Sequence, residues 1–231
     1  MSVRSYEQAN YRKPADKSVS FRSPASFPQQ SAIAADDIVY SRAKRLCDIV
    51  AALGLIVLAS PALLLIAALI KLDSRGPVLF RQLRNGQHQR AFVVMKFRTM
   101  RPSSDGRQAV CGDARVTRVG RFLRASSLDE LPQLFNVLRG DMSLVGPRPH
   151  PLWLDDKYAG EIDGYRRRYF VKPGITGLAQ ITGCRGATAT RAQMLRRLEK
   201  DLEYVENRSL ALDMKILALT VPSLVTLRDA Y

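Results

Sequence analysis

The chain has 231 residues, enough for one globular domain with a tail, and 46% of them are hydrophobic, so a core can be buried. A net charge of +15 and a pI of about 10.2 point to a polyanionic partner: nucleic acid, anionic lipid or a phosphorylated substrate. Cys47, Cys111 and Cys184 are odd in number and far apart, so neither a disulfide frame nor a zinc site is indicated, and reduced thiols are expected.

Residues 1–38 mix Ser, Pro, Gln, Ala and charges without periodicity, which predicts a disordered tail. No apolar core follows a basic start there, so the tail is not a signal peptide. Ile49 to Ile70 then runs for 22 residues without a charge. At about 1.5 Å per residue such a helix is long enough to cross a bilayer. Ser60-Pro61 sits near its middle, and proline removes a backbone donor, so the helix is expected to bend or break there. Basic residues flank both ends: Arg42, Lys44 and Arg45 before, Lys71, Arg75, Arg81 and Arg84 after. The positive-inside rule keeps both clusters in the cytosol. A re-entrant helix spanning residues 39–75 and broken at Ser60-Pro61 satisfies both facts, with the Ser60 hydroxyl serving backbone freed by the break. A kinked full span is the alternative.

Two short apolar runs between Pro77 and Met100 flank Asn85-Gly86, which predicts a β-hairpin with a tight turn or a longer loop. From Val116 the pattern turns helical. Met194, Leu198, Leu202 and Val205 form one stripe, with Arg196, Arg197, Glu199, Lys200 and Glu203 off it. Ser209 to Leu227 is apolar but carries Asp213, Lys215 and Pro222, and reads as an interfacial helix.

Only two histidines occur, His88 and His150, and no GxSxG motif accompanies them, so catalysis is expected to rest on carboxylates, Arg and Lys. Ser127-Leu128-Asp129-Glu130 fits a capping box, with Ser127 as N-cap, and Pro132 marks the helix start. By itself this is only a helix terminus. The same geometry would also keep both carboxylates ionised and offer N–H groups to phosphate oxygens. An ionised carboxylate is an adequate nucleophile toward a phosphoryl group, and magnesium would screen it from a diphosphate. Gly146-Pro147-Arg148-Pro149 holds one guanidinium between two prolines, which suits bidentate phosphate recognition. Lys172-Pro173-Gly174 is a second rigid turn with a cation.

These elements, in this order, resemble the bacterial sugar transferase family, the monotopic phosphoglycosyl transferases. The matching pieces run from about Tyr40 to the C-terminus: KRLCD, the apolar run with Ser60-Pro61, KFRTM, RVTRVGRFLRASSLDELPQLFNVLRGDMSLVGPRP, VKPGITGLAQITG and LDMKI. The resemblance implies that Asp129 and Glu130 are the catalytic pair. Asp129 would attack the β-phosphate of a UDP-sugar, form a phosphosugar-aspartate and release UMP. Polyprenyl phosphate, as undecaprenyl phosphate, would then accept the hexose-1-phosphate. Glu130 would help hold Mg²⁺ with Asp129 or assist proton removal. Arg124, Arg148 and Lys172 would bind substrate phosphate, and Ser60-Pro61 would be the break of the re-entrant helix. Larger members carry further membrane helices ahead of this core, and the chain resembles the short form. The segments after Gly146 and around Cys184 are most similar to members that start exopolysaccharide synthesis with glucose-1-phosphate, then to galactose members.

The expectation is an α+β protein: a mostly helical cytosolic catalytic domain (76–208) with a β-hairpin, a re-entrant anchor (39–75) and an interfacial C-terminal helix (209–231). Its location would be the cytoplasmic face of a bacterial inner membrane. Anionic membrane lipids are expected partners, and a homodimer is compatible. A basic nucleic-acid-binding protein is the main rival, but no zinc finger, RNP-type motif or basic heptad appears, and that rival leaves the apolar run unexplained. A non-catalytic membrane scaffold would need no Asp-Glu pair beside a phosphate-binding arginine.

Overall fold

The computed structural model describes residues 35–101, 113–184, 186 and 190–225. The expected tail lies outside them up to residue 34, and Cys111 does so as well. The first helix, α1 (Ala35–Asp73), already begins within the stretch expected as tail.

Helix α1 lies against the rest of the protein along one face. Asp48, Ala52, Ile66 and Ile70 are buried, and Ile56 and Leu63 are partly so. These positions recur at helical spacing on one side. The other side is apolar and bare: Leu58 is 80% exposed and Leu64 74%. The expected break does not interrupt the helix, which continues through Ser60 and Pro61. Pro61 has no N–H to give to the Val57 carbonyl one turn back. The Ser60 hydroxyl donates to that carbonyl instead, at 2.8 Å. The proline therefore leaves no orphaned acceptor, and the helix has no local reason to end.

Both ends of α1 dock on the same body. Near its start, Arg45 donates to the carbonyls of Val137 (2.6 Å) and Leu138 (2.8 Å). Both belong to α3 (Gln133–Arg139), so one guanidinium caps that helix's C-terminal carbonyls. Asp48 accepts from the Ser143 hydroxyl (3.1 Å) and the Leu144 N–H (3.0 Å). At the far end, Asp73 accepts from the Val119 N–H (3.1 Å) in the first turn of α2 (Arg118–Ser126). Arg98 donates to the carbonyls of Ser74 and Arg75 just beyond the helix.

The hairpin forms as expected, with the longer loop. Strand β1 (Leu79–Asn85) pairs antiparallel with β2 (Ala91–Phe97), from Leu79 opposite Phe97 to Asn85 opposite Ala91. Gly86 to Arg90 make the loop, closed by a Gly86 N–H to Arg90 carbonyl bond of 2.9 Å. The outer edge of β2 meets Asn136 of α3. Its amide accepts from the Met95 N–H (3.0 Å) and donates to the Val93 carbonyl (2.7 Å).

The two Pro-Gly turns are neighbours. Strand β3 (Ser143–Val145) pairs in parallel with β4 (Gly174–Thr176), and each leads from or into its turn. A side chain on Gly174 would meet the Gly146 nitrogen at 2.1 Å, so glycine is required for the backbones to approach. The remaining helices are α4 (Leu152–Glu161), α5 (Leu178–Ile181), α6 (Arg191–Asn207) and α7 (Leu210–Val225). In α6 the expected stripe is present, but Arg197, placed off it, is buried too: its guanidinium donates to the carbonyls of Cys184 and Gly186. Helix α7 turns Asp213 and Ile216 inward and leaves Met214 62% and Val221 66% exposed. Among the described residues the protein is thus mostly helical, with two small sheets and one long apolar helix.

Asp48 is the buried acceptor that fastens α1 to β3. Asp48→Ala strands the Ser143 hydroxyl and Leu144 N–H, and is expected to cost about 2–4 kcal/mol of stability. Asp48→Asn keeps an acceptor and is expected to cost about 1 kcal/mol. Thermal unfolding of both variants in detergent checks the order.

Candidate active site

The segment carrying the two carboxylates is not the capped helix start that its sequence suggests. Ser127 takes a left-handed conformation (φ 57°) and closes α2, with no side-chain cap on the following turn. Leu128–Glu130 form a single 3-10 turn that uses the N–H groups of Glu130 and Leu131 internally. Glu130 does not reach back to Ser127, because stronger partners lie ahead of it. The continuing helix starts at Gln133, just after Pro132, as proline at a helix start requires.

Those partners are two cations. Lys96 of β2 donates to one Glu130 oxygen at 2.7 Å. Arg148 donates through both terminal nitrogens, to Oε2 at 2.9 Å and to Oε1 in a shorter bond. Burial alone would push the Glu130 carboxyl up, but Arg148 and Lys96 outweigh it and hold it well below the usual range. Asp129, the preceding residue, has no hydrogen bond or ion pair to the other described residues. Burial lifts it to about 6; the Glu130 charge adds to the rise, and Lys96, Arg148 and Arg124 oppose it. The two carboxylates therefore do not share the low, helix-stabilised state expected of them. One is held as an anion and the other is pushed up to about 6.

Of the expected phosphate ligands, the fold brings Arg148 and Arg124 to this pair and takes Lys172 elsewhere. Arg124 lies in the last turn of α2 and acts on Asp129 through its charge. Lys172 lies beside Arg45, with Asp48 and Asp141 nearby, and burial followed by the Arg45 charge lowers its pKa. Two cations at the site were not singled out from the sequence. Lys96 interrupts an otherwise apolar strand, Phe92 to Phe97, which is the signal that could have found it. Arg84 of β1 lies half-buried close to Arg148 and Glu130, and burial, then Arg148, bring it down to about 10.

The Arg148 turn is fixed from behind. Arg168 donates to the Arg148 carbonyl (2.6 Å) and to Asp201 of α6 (2.8 Å). His150 lies in the same network, bonded to Tyr165 (2.7 Å), and burial and the Arg168 charge keep it neutral. It is a structural histidine here.

Among the described residues no group of three or more His, Cys, Asp or Glu could hold a metal by itself. Magnesium is commonly held by one or two carboxylates together with substrate phosphates. Asp129 suits that arrangement, having no bonded partner; both oxygens of Glu130 are taken by Lys96 and Arg148.

A sequence profile described as bacterial sugar transferase matches residues 39–227, the site and both apolar helices included. The chain belongs to the bacterial sugar transferase family. This transferase is 54% identical over 191 residues to a Caulobacter vibrioides protein named UDP-glucose:undecaprenyl-phosphate glucose-1-phosphate transferase, covering 81% of the chain and 72% of that protein. A Klebsiella pneumoniae protein of the same name is 52% identical over 77% of the chain, but the match spans only 39% of that longer relative. The exopolysaccharide production protein PSS of Rhizobium leguminosarum is 45% identical, over 79% of the chain and 95% of its own length.

The raised Asp129 carboxyl has a consequence for the transferase's stability. Its folded pKa, about 6, lies above the ordinary 3.8, so its contribution is full below pH 4 and is lost as pH rises through 6. Asp129→Asn removes that loss. The variant is expected to be more stable than the wild type by about 1–3 kcal/mol above pH 7, with the gap closing toward pH 4. Thermal unfolding across this pH range measures it.

Proposed function

We propose that this transferase moves hexose-1-phosphate from a UDP-hexose to polyprenyl phosphate, by way of a covalent phosphosugar on Asp129. The observation that carries the reading is the split between the two carboxylates. Asp129 is unbonded, half-buried and pushed up to about 6, while its neighbour is held as an anion between two cations.

In the first step an Asp129 oxygen attacks the β-phosphorus of the donor. The bond from that phosphorus to the bridging oxygen breaks, and UMP leaves. In the second step a phosphate oxygen of the acceptor lipid attacks the same phosphorus, the bond to Asp129 breaks, and the carboxylate returns. Lys96, Arg84, Arg124 and Arg148 supply a positive surround for the diphosphate and for charge that develops on it. Magnesium bound at Asp129 and the donor phosphates would neutralise the diphosphate and ease departure of UMP. Glu130, deeply acidic, is a poor general base. Its ion pairs suit a positioning role, orienting Arg148 and Lys96. The names of the relatives support undecaprenyl phosphate as acceptor and glucose as the first choice of sugar; galactose follows on the sequence resemblance alone.

The same reading puts the protein on the cytoplasmic face of the inner membrane, with α1 set into one leaflet and both of its ends on that face. Both ends of α1 dock on one globular body, which cannot lie on two sides of a bilayer. The apolar outer faces of α1 and α7 would enter one leaflet. Anionic headgroups would meet the basic flanks.

Two experiments test this. With UDP-glucose alone, the wild type is expected to release UMP in at most stoichiometric amount and to gain one hexose-phosphate by mass spectrometry. Asp129→Asn is expected to lose nearly all turnover while folded; an active, adduct-free variant would replace the covalent route with direct transfer. For topology, single cysteines at Ser41 and Ser74, in a chain lacking its native cysteines, are both expected to resist an impermeant thiol reagent in intact cells. Both should react once cells are permeabilised. Labelling of one site from outside would establish a full span.

A further inference from the structure

An apolar cavity of ≈ 170 Å³ adjoins the carboxylate pair. Its wall includes Glu130, Leu131 and Leu134 from the catalytic segment, Leu55 from α1, and Leu217 and Thr220 from α7. Thr176 closes it from β4, but its hydroxyl is spent: it pairs with the Thr220 hydroxyl at 2.8 Å, and Thr220 donates onward to the Ile216 carbonyl at 2.7 Å. The two threonines thus have no need of a polar guest. Glu130 is the charged residue of the lining.

Position decides what such a cavity can hold. It lies between α1 and α7, the two helices whose outer faces are apolar and exposed. It reaches the site at Glu130. A UDP-sugar is polar throughout and gains nothing from leucine walls. A phosphate joined to an apolar chain matches both ends: the anion at the cations around Asp129 and Glu130, the chain against Leu55, Leu134 and Leu217. Apolar walls spare such a chain exposure to water where it leaves the leaflet to bring its phosphate to the site.

We infer that this cavity seats the first isoprene units of the acceptor lipid and guides the rest of the chain between α1 and α7 into the leaflet. The inference rests on the acceptor reading above and adds the residues that recognise the chain.

The test uses the full chain in lipid nanodiscs. Leu217→Trp and Leu55→Trp fill the cavity from opposite sides. Each is expected to raise the KM for undecaprenyl phosphate at least tenfold. The UMP burst with UDP-glucose alone is expected to keep its amplitude and rate. A wild-type acceptor KM in both variants would overturn the inference. Absence of the burst in the wild type would instead count against the covalent mechanism, leaving the cavity to a second measurement. In that measurement a diazirine-bearing polyprenyl phosphate is photolysed on the wild type, which needs no variant to fold. Labelling of the α7 peptide or of residues 131–134, competed by undecaprenyl phosphate, is the expected result. Labelling found only elsewhere overturns the inference. So does labelling competed by phosphatidylglycerol vesicles but not by undecaprenyl phosphate, which would make the occupant bulk lipid.

Discussion

Lys96 and Arg148 meet on Glu130 from distant parts of the chain, one from a strand and one from a turn between two prolines. A carboxylate buried without partners would be costly enough to protonate rather than stay charged. Two cations make it a stable anion and, in return, the anion fixes where both cations point. The hairpin, the 3-10 turn and the Gly146–Pro149 turn are thereby tied at one spot. Arg168 extends the tie backward, from the Arg148 carbonyl to Asp201 of α6. Three separate segments converge because one half-buried charge needs them.

The same arrangement lets two adjacent carboxyls differ. Glu130 consumes the nearest cations, so Asp129 feels burial more than rescue, and the pair separates into a fixed anion and a titrating acid. Environments that push neighbouring groups apart in this way are a recurring mark of divided chemical roles. Each carboxyl depends on the other: without Glu130, Lys96 and Arg148 would be free to pair with Asp129 and quench it.

Local pattern disclosed the elements whose cause is local. The uncharged run from Ile49 to Ile70, the hairpin around Asn85-Gly86 and the amphipathic helix at Met194–Val205 each follow from the periodicity of their own residues. The carboxylate pair and Arg148 were visible because their motif is compact. What escaped depends on contacts across the chain. Ser127 reads as a cap by spacing, yet it closes the preceding helix, because Glu130 is drawn away to Lys96, 34 residues earlier. Arg197 reads as a solvated face and is buried, since the loop carbonyls at Cys184 and Gly186 need a donor. Lys172 carries the right charge in a rigid turn, but the parallel pairing of β3 with β4 sends it toward Arg45. Pro61 reads as a break, yet the Ser60 hydroxyl, expected to serve the freed backbone, takes the Val57 carbonyl and the helix goes on.

Asn136 has an effect beyond joining α3 to the hairpin. A two-stranded sheet has two open margins, each able to recruit a strand from another molecule. On β2 the Val93 carbonyl and Met95 N–H are already held by the Asn136 amide. On β1, Arg84 bridges to Pro151, whose ring offers no N–H to extend a ladder. Proteins gathered on a membrane collide in two dimensions at high local density, and a free margin there would seed polymers. A single amide and a single proline thus each take up part of a margin that this hairpin would otherwise offer to a neighbouring copy.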